Sequence, residues 1–322
     1  MDNLSIEASD TVLVLGATGF IGSRLIPELR AKGIQVRMLV RNPEKVAEQV
    51  NGDSGLTAVK GDLLTGEGLP EALMGIQTAY YLVHSMGGRS IFQNKEYADK
   101  DRQAAESFIK AADTAGLKRV IYLGALGEKS EYLSEHLQSR AEIAHILSSG
   151  KAAATILRAA IIIGAGGASF EMLRYLVERL PIMACPKWID TKIEPIALRD
   201  VLKYLVGCLF QAGTVGQSFD IGGSEVFTYR EMMQQYAEAR GLAKRLIFPI
   251  PFVSPLLSAY WVDLVTPIPS GVAHPLIEGL KNEVICRDKR IESIIPIDKT
   301  PYKEAVRIAF SEEKSGPGIT GF

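Results

Sequence analysis

Apolar residues in the first half of the chain fall in short, β-branched runs, separated by longer stretches with helical periodicity. "TVLVLG" (11–16) reads as a buried strand, followed by a helix from about Phe20 to Lys32. "IQVRMLV" (34–40), "LTAVKGD" (56–62) and "TAYYLVHS" (78–85) read as the second to fourth strands. A helix then spans roughly Asn94 to Ala115, "KRVIYLGA" (118–125) forms a fifth strand, and "SEHLQSRAEIAHIL" (134–147) a further helix. "AATILRAAIIIG" (153–164) is a sixth strand running into a loop. Strands alternating with helices imply right-handed βαβ crossovers and a parallel sheet covered on both faces. The expected class is α/β, a Rossmann-type doubly wound sheet.

After Pro181 the alternation loosens and proline becomes frequent. "GQSFDIGG" (216–223) still reads as a strand, so the chain is expected to return to the sheet around 198–224. "TYREMMQQYAEARG" (228–241) is a marked helix with Thr228 at its N-cap and Gly241 at its end. The expected division is a dinucleotide-binding domain over 1–185 and a smaller, mostly helical substrate or lid lobe over 186–322.

Composition narrows the function classes. Of 322 residues, 47% are hydrophobic, and 36 Lys+Arg against 37 Asp+Glu leave a net charge of −1. That is enough for a sizeable core and gives no broad surface for nucleic acid. Cys185, Cys208 and Cys286 are widely separated and no metal-ligand spacing occurs among the histidines, so a reducing, cytoplasmic setting is expected and no metal. The N-terminus has no apolar core of a secretory signal. The longest uncharged run, Leu246 to Val262, holds three prolines and is too short to span a bilayer. It leaves open a greasy lid or a peripheral membrane contact.

The strongest motif is "VLVLGATGFIGSRL", where Gly16, Gly19 and Gly22 follow a strand and open a helix. A tight turn needs glycine at positive φ, a second glycine admits the backbone to a pyrophosphate, and a third lets helix pack on strand. Gly16, Thr18, Gly19, Phe20, Ile21 and Gly22 are therefore candidate cofactor contacts, with the helix N-terminus presenting free N–H groups.

The spacing G-x-x-G-x-x-G in "GATGFIG" resembles the extended and atypical branches of the short-chain dehydrogenase/reductase superfamily. Together with "GDL" (61–63), "YLVHSMG" (81–87), "SEHLQSR" (134–140), "ILRAAIIIGAG" (156–166) and "FDIGGSEVFTYREM" (219–232), it resembles the NmrA-like and YbjT-like members from about residue 11 to 310. The resemblance implies a Rossmann fold and a nicotinamide cofactor. It does not imply one reaction.

An acidic side chain at the end of the second strand would bond the ribose hydroxyls of NAD and repel a 2′-phosphate. Here "MLVRNPEK" has Val40 at that place and Arg41 next, which points to NADP(H) in preference to NAD(H), with Arg24 as a candidate helper. Asp62, with Leu63 after it, resembles the family's aspartate at the adenine amino group. His84 and Ser85, at the end of the fourth strand, are candidate contacts on the ribose or nicotinamide side.

Active members of the superfamily carry Tyr-x-x-x-Lys on the helix after the fifth strand, and a Ser or Thr near that strand's end. By that resemblance His136 stands at the tyrosine position and Arg140 at the lysine position, while Gly124 and Ala125 stand where the hydroxyl would be. Arg140 can hydrogen-bond ribose hydroxyls but cannot carry a proton near neutral pH. His136 can titrate near neutrality. Both also share a helix face with Ile143 and Leu147, so packing at the helix edge, with Glu135 or Glu142 as partner of Arg140, is the alternative.

For the substrate pocket the candidates are Arg158 and Ile162 at the end of the sixth strand, and Phe252 and Trp261 of the apolar run, with Phe248, Leu256 and Tyr260 beside them. Arg158 is either an anion site or half of an internal ion pair. The function expected is an NADP(H)-dependent oxidoreductase acting on an apolar small molecule. A non-catalytic NADP(H)-binding redox sensor or assembly factor with a protein partner is the alternative, and a sugar-nucleotide epimerase or dehydratase a weaker one.

Overall fold

A computed structural model of the chain describes residues 10–84, 94–127, 135–250 and 266–315. Ser85, Phe252, Leu256, Tyr260 and Trp261 lie outside them, as does the side chain of His136. The strands β1 (Thr11–Leu15), β2 (Gln35–Val40), β3 (Leu56–Lys60), β4 (Thr78–Tyr81), β5 (Arg119–Ala125) and β6 (Ala153–Ala159) form one sheet. They are joined there by β11 (Ser218–Ile221), in the order β11-β6-β5-β4-β1-β2-β3. Every neighbouring pair in it is parallel.

Alternate residues of β1 show why its run is apolar without interruption. Val12 and Val14 enter the core under α1 (Gly22–Ala31) and α7 (Leu198–Phe210), while Leu13 and Leu15 enter the core under α3 (Leu69–Leu73), α4 (Asn94–Ala115) and α5 (Glu135–Ser149). A strand buried on both faces has no polar side to show. The order reverses between β1 and β4, so the C-terminal ends of these two strands open the crevice in which ligands bind in doubly wound sheets.

The sixth strand is shorter than its apolar run. After Ala159 the chain leaves the sheet, and Ile162–Ile163 (β7) pairs with Ile196–Ala197 (β10). Ile161 and Ile163 turn into a second core, built from α6 (Ala168–Arg179), α8 (Tyr229–Ala239), α9 (Ser270–Gly279) and α11 (Tyr302–Ser315). Helix α8 begins as its sequence implies. The Thr228 side chain accepts from Glu231 N–H at 3.2 Å, and the Glu231 carboxylate accepts from Thr228 N–H at 2.7 Å. Two short pairs, β9 (Lys192–Ile193) with β12 (Phe227–Thr228) and β8 (Ile182–Pro186) with β13 (Leu246–Ile250), complete this helical lobe.

Candidate cofactor site

The glycine loop leaves β1 at the reversal of strand order. Gly16 has φ +80°, and a Cβ on it would lie 2.5 Å from the Leu82 carbonyl oxygen beyond β4. A Cβ on Gly22 would collide with the Gly16 carbonyl oxygen and stand 2.9 Å from Ala17 Cα. Both positions are closed to other residues, the first by backbone conformation and the second by helix-on-strand contact. Thr18 and Gly19 are exposed at the tip, where Gly19 N–H donates to Gly16 O at 3.0 Å.

Ile21, the N-cap of α1, provides no side-chain cap, and the first turn holds no acid. Among the described residues no acceptor takes the N–H of Phe20 or Ile21. Unpaired N–H groups at a helix start form a ready anion site. This cradle, closed to side chains and open to an anion, fits a pyrophosphate.

Arg41 is exposed directly after β2 and makes no hydrogen bond or ion pair among the described residues. Arg24, the candidate helper, makes internal contacts. Its guanidinium lies 4.8 Å from the Phe20 ring centroid and donates to Phe20 O at 2.9 Å and to Ala165 O at 2.6 Å. Burial lowers its pKa from the ordinary arginine value, opposed by Glu312. It ties the glycine loop to the loop after β7. Asp62 Oδ1 accepts the Leu64 N–H at 2.8 Å, the Asp62 backbone is paired with Glu67 and Gly66, and Leu63 is buried in the core.

The opposite side of the crevice is built from β5 and α5. Gly124 and Ala125 end β5, and neither carries a hydroxyl. His84 places Nε2 3.3 Å from Leu123 O, with its ring 5.6 Å from that of Tyr122. Arg140 is half-buried on α5. Burial lowers its pKa, while the adjacent Tyr122 hydroxyl and the Asp101 carboxylate act the other way. Asp101, on α4, is 7% exposed. Glu142, which the sequence offered to Arg140, is bound instead to Arg102 at 2.7 Å.

Asp101 and Tyr122 are thus neighbours of Arg140 that sequence reasoning missed. The only trace of Asp101 is an acid on the apolar face of α4. The Tyr122 ring is buried in the sheet core, 6.2 Å from that of Tyr81, and its hydroxyl donates to Arg140 O at 3.4 Å. It does not replace the absent tyrosine of α5.

Of the two roles open to Arg158, the structure forms the ion pair. Its Nε and Nη2 each lie 2.7 Å from Asp220 Oδ1 on β11, with the side chains 13% and 6% exposed. Asp220 Oδ2 accepts the N–H groups of Arg287 and Asp288 at 2.8 and 2.9 Å. Arg158 therefore fastens β6 to β11 and to the segment after α9, and its charge is matched. Ile162 is half-buried on β7. Phe248, expected in a cleft roof, faces outward at 54% exposure.

A parallel sheet with an open, glycine-lined helix start at its reversal point defines a dinucleotide-binding Rossmann protein. Residues 16–162 match the NAD(P)H-binding family. The chain is 25% identical over 320 residues to the mitochondrial NADH dehydrogenase [ubiquinone] 1 alpha subcomplex subunit 9 of Arabidopsis thaliana, covering 95% of this chain and 79% of that protein. It is 27% identical to ceramide reductase of Caulobacter vibrioides, covering 76% and 75%. In fold it is similar to the NADPH-dependent quinone oxidoreductase QOR2 of Escherichia coli complexed with NADPH, with TM-score 0.72 and 21% identity over 93% of this chain and 99% of that one. The chain thus carries an NAD(P)H-binding domain over residues 16–162 and is similar over most of its length to these proteins.

Proposed function

We propose that the protein binds NADP(H) in preference to NAD(H) and reduces an apolar small molecule. The observation that carries the cofactor preference is Arg41. A permanently charged side chain stands exposed and uncommitted after β2, where an NAD-selective protein would carry an acid. Gly16, Gly19, Gly22 and the N–H groups of Phe20 and Ile21 would hold the pyrophosphate, Asp62 the adenine, and Arg140 with His84 the nicotinamide side. The cofactor when bound supplies a hydride. The chain's own residues bind and orient it, and His136 is the titratable group at the catalytic position of α5.

The names of relatives support reduction of apolar compounds, among them the ceramide reductase and the quinone oxidoreductase. A specific observation favours the second reading, a non-catalytic NADP(H)-binding sensor or assembly partner. The last two residues of β5 are Gly124 and Ala125, which carry no hydroxyl, and the Tyr122 phenol is sealed in the core. A relative matched over 95% of this chain is named as a subunit of NADH dehydrogenase [ubiquinone]. The epimerase reading is weaker, because α5 has no tyrosine.

The deciding experiment incubates the protein with NADPH and a panel of quinones, enones and aldehydes. NADPH oxidation that His136→Phe abolishes supports reduction with His136 as the proton donor. Oxidation that survives the substitution removes His136 from the mechanism. NADPH binding without oxidation across the panel favours the sensor or assembly reading.

A further inference from the structure

Phe20 serves the cradle with its backbone and reaches out of it with its side chain. Its ring lies against the loop after β7, where a Cβ on Gly167 would stand 2.9 Å from Phe20 Cζ and one on Gly164 3.2 Å from the same atom. Arg24 closes over the ring, with its guanidinium carbon 4.8 Å from the ring centroid. Arg24 Nη1 donates to Phe20 O at 2.9 Å, and Nη2 donates to Ala165 O at 2.6 Å. One side chain thus holds a carbonyl of each loop.

Each of those carbonyls shares a planar peptide unit with an N–H that is used elsewhere. Phe20 O belongs with the Ile21 N–H, so fixing the one fixes the direction of the other. A phosphate oxygen bound to that N–H polarises the amide and strengthens the hydrogen bond at its carbonyl. Ala165 O belongs with the Gly166 N–H, which donates to Glu171 Oε1 at 3.0 Å. Glu171 is 7% exposed in the first turn of α6, between Phe170 and Met172 of the second core, and its Oε2 lies 3.4 Å from Arg174 Nη1. Two peptide units joined by one guanidinium therefore connect the cradle to the first helix of the helical lobe.

We propose that Arg24 is a positioning residue that couples the pyrophosphate cradle to α6, so that filling the cradle orders the 164–167 loop and a ligand in the helical lobe changes cofactor affinity in return. This rests on the reading of the glycine loop as the pyrophosphate site. The test is hydrogen exchange of the full chain, read by mass spectrometry, with and without 2′-phospho-ADP-ribose, which carries the pyrophosphate and lacks the nicotinamide. At saturation the ligand is expected to slow exchange over residues 166–171 by at least about threefold in the wild type.

Arg24→Met is expected to weaken binding about three- to tenfold and to lose that slowing at saturation, while the glycine loop stays protected. Gly167 has φ −78°, which alanine adopts freely. In Gly167→Ala the new Cβ displaces the Phe20 ring, and the same two effects are expected. Slowing that persists in saturated Arg24→Met overturns the proposal, as does wild-type behaviour of Gly167→Ala. A wild type whose 166–171 segment exchanges at one rate with and without bound ligand also overturns it, and leaves the cradle reading intact. A ligand that fails to bind the wild type overturns the cradle and the coupling together.

Discussion

The two sides of the crevice are built on different principles. On the glycine-loop side, backbone meets backbone. Leu82 O closes on Gly16, Gly16 O on Gly22, and the groups left over are the N–H donors of Phe20 and Ile21. On the β5–α5–β6 side, side chains meet side chains, and two of its arginines are turned to internal partners. Arg158 is held by Asp220, and Arg140 lies against Tyr122 and Asp101. The first side can do little but bind a phosphate. The second carries charged side chains that also hold the fold together. Binding is written in backbone geometry, and chemistry in side chains that are free to change.

Arg158→Met is expected to have the largest effect. It leaves the Asp220 carboxylate buried with two N–H donors but no counter-charge, at a cost of about 3–5 kcal/mol in urea unfolding. Unchanged stability with a raised KM would instead return Arg158 to the substrate pocket. Gly22→Ala comes next. Overpacking against Gly16 O should cost about 1–3 kcal/mol and abolish saturable NADPH binding, read by fluorescence titration. Retention of binding would show that the loop is only a turn.

Arg140→Met is expected to weaken NADPH about tenfold, in line with loss of a charged hydrogen bond of about 1.5 kcal/mol, with NADH affected equally because the contact is not at the 2′-phosphate. If affinity holds and only the melting temperature falls, Arg140 is a packing residue. The smallest effect concerns Cys208 on the buried face of α7. Burial pushes its thiol up to about 11 from an ordinary 9.0, opposed by Arg119 and Thr214. The unfolded chain ionises first as pH rises, so this thiol's contribution to stability, full below pH 9, is lost between 9 and 11. Cys208→Ala should flatten the alkaline fall in urea midpoint, and an unaltered slope would contradict the burial effect.

The fold was legible because a strand buried on both faces must be apolar throughout, and β1 obeys that constraint from Val12 to Leu15. The same logic carried the α4 span and the Thr228 cap, which depend on residues close in sequence. The glycine loop was legible because its geometry excludes side chains. Pairings between distant segments were not legible. Arg158 finds Asp220 across 62 positions, and Arg140 finds Asp101 on a different helix. No local pattern announces either. The apolar run after Leu246 suggested a cleft roof, yet only strand register reveals that Leu246 and Phe248 point outward.

The central claim is that Arg41 reads the 2′-phosphate of NADP(H) beside a backbone-built pyrophosphate cradle. The direct measurement titrates wild type and Arg41→Ala with NADPH and NADH by isothermal calorimetry. A lost charge-assisted phosphate contact of about 1.5–3 kcal/mol predicts that NADPH weakens by roughly tenfold or more while NADH changes little. Equal weakening of both, or none for NADPH, would contradict the assignment.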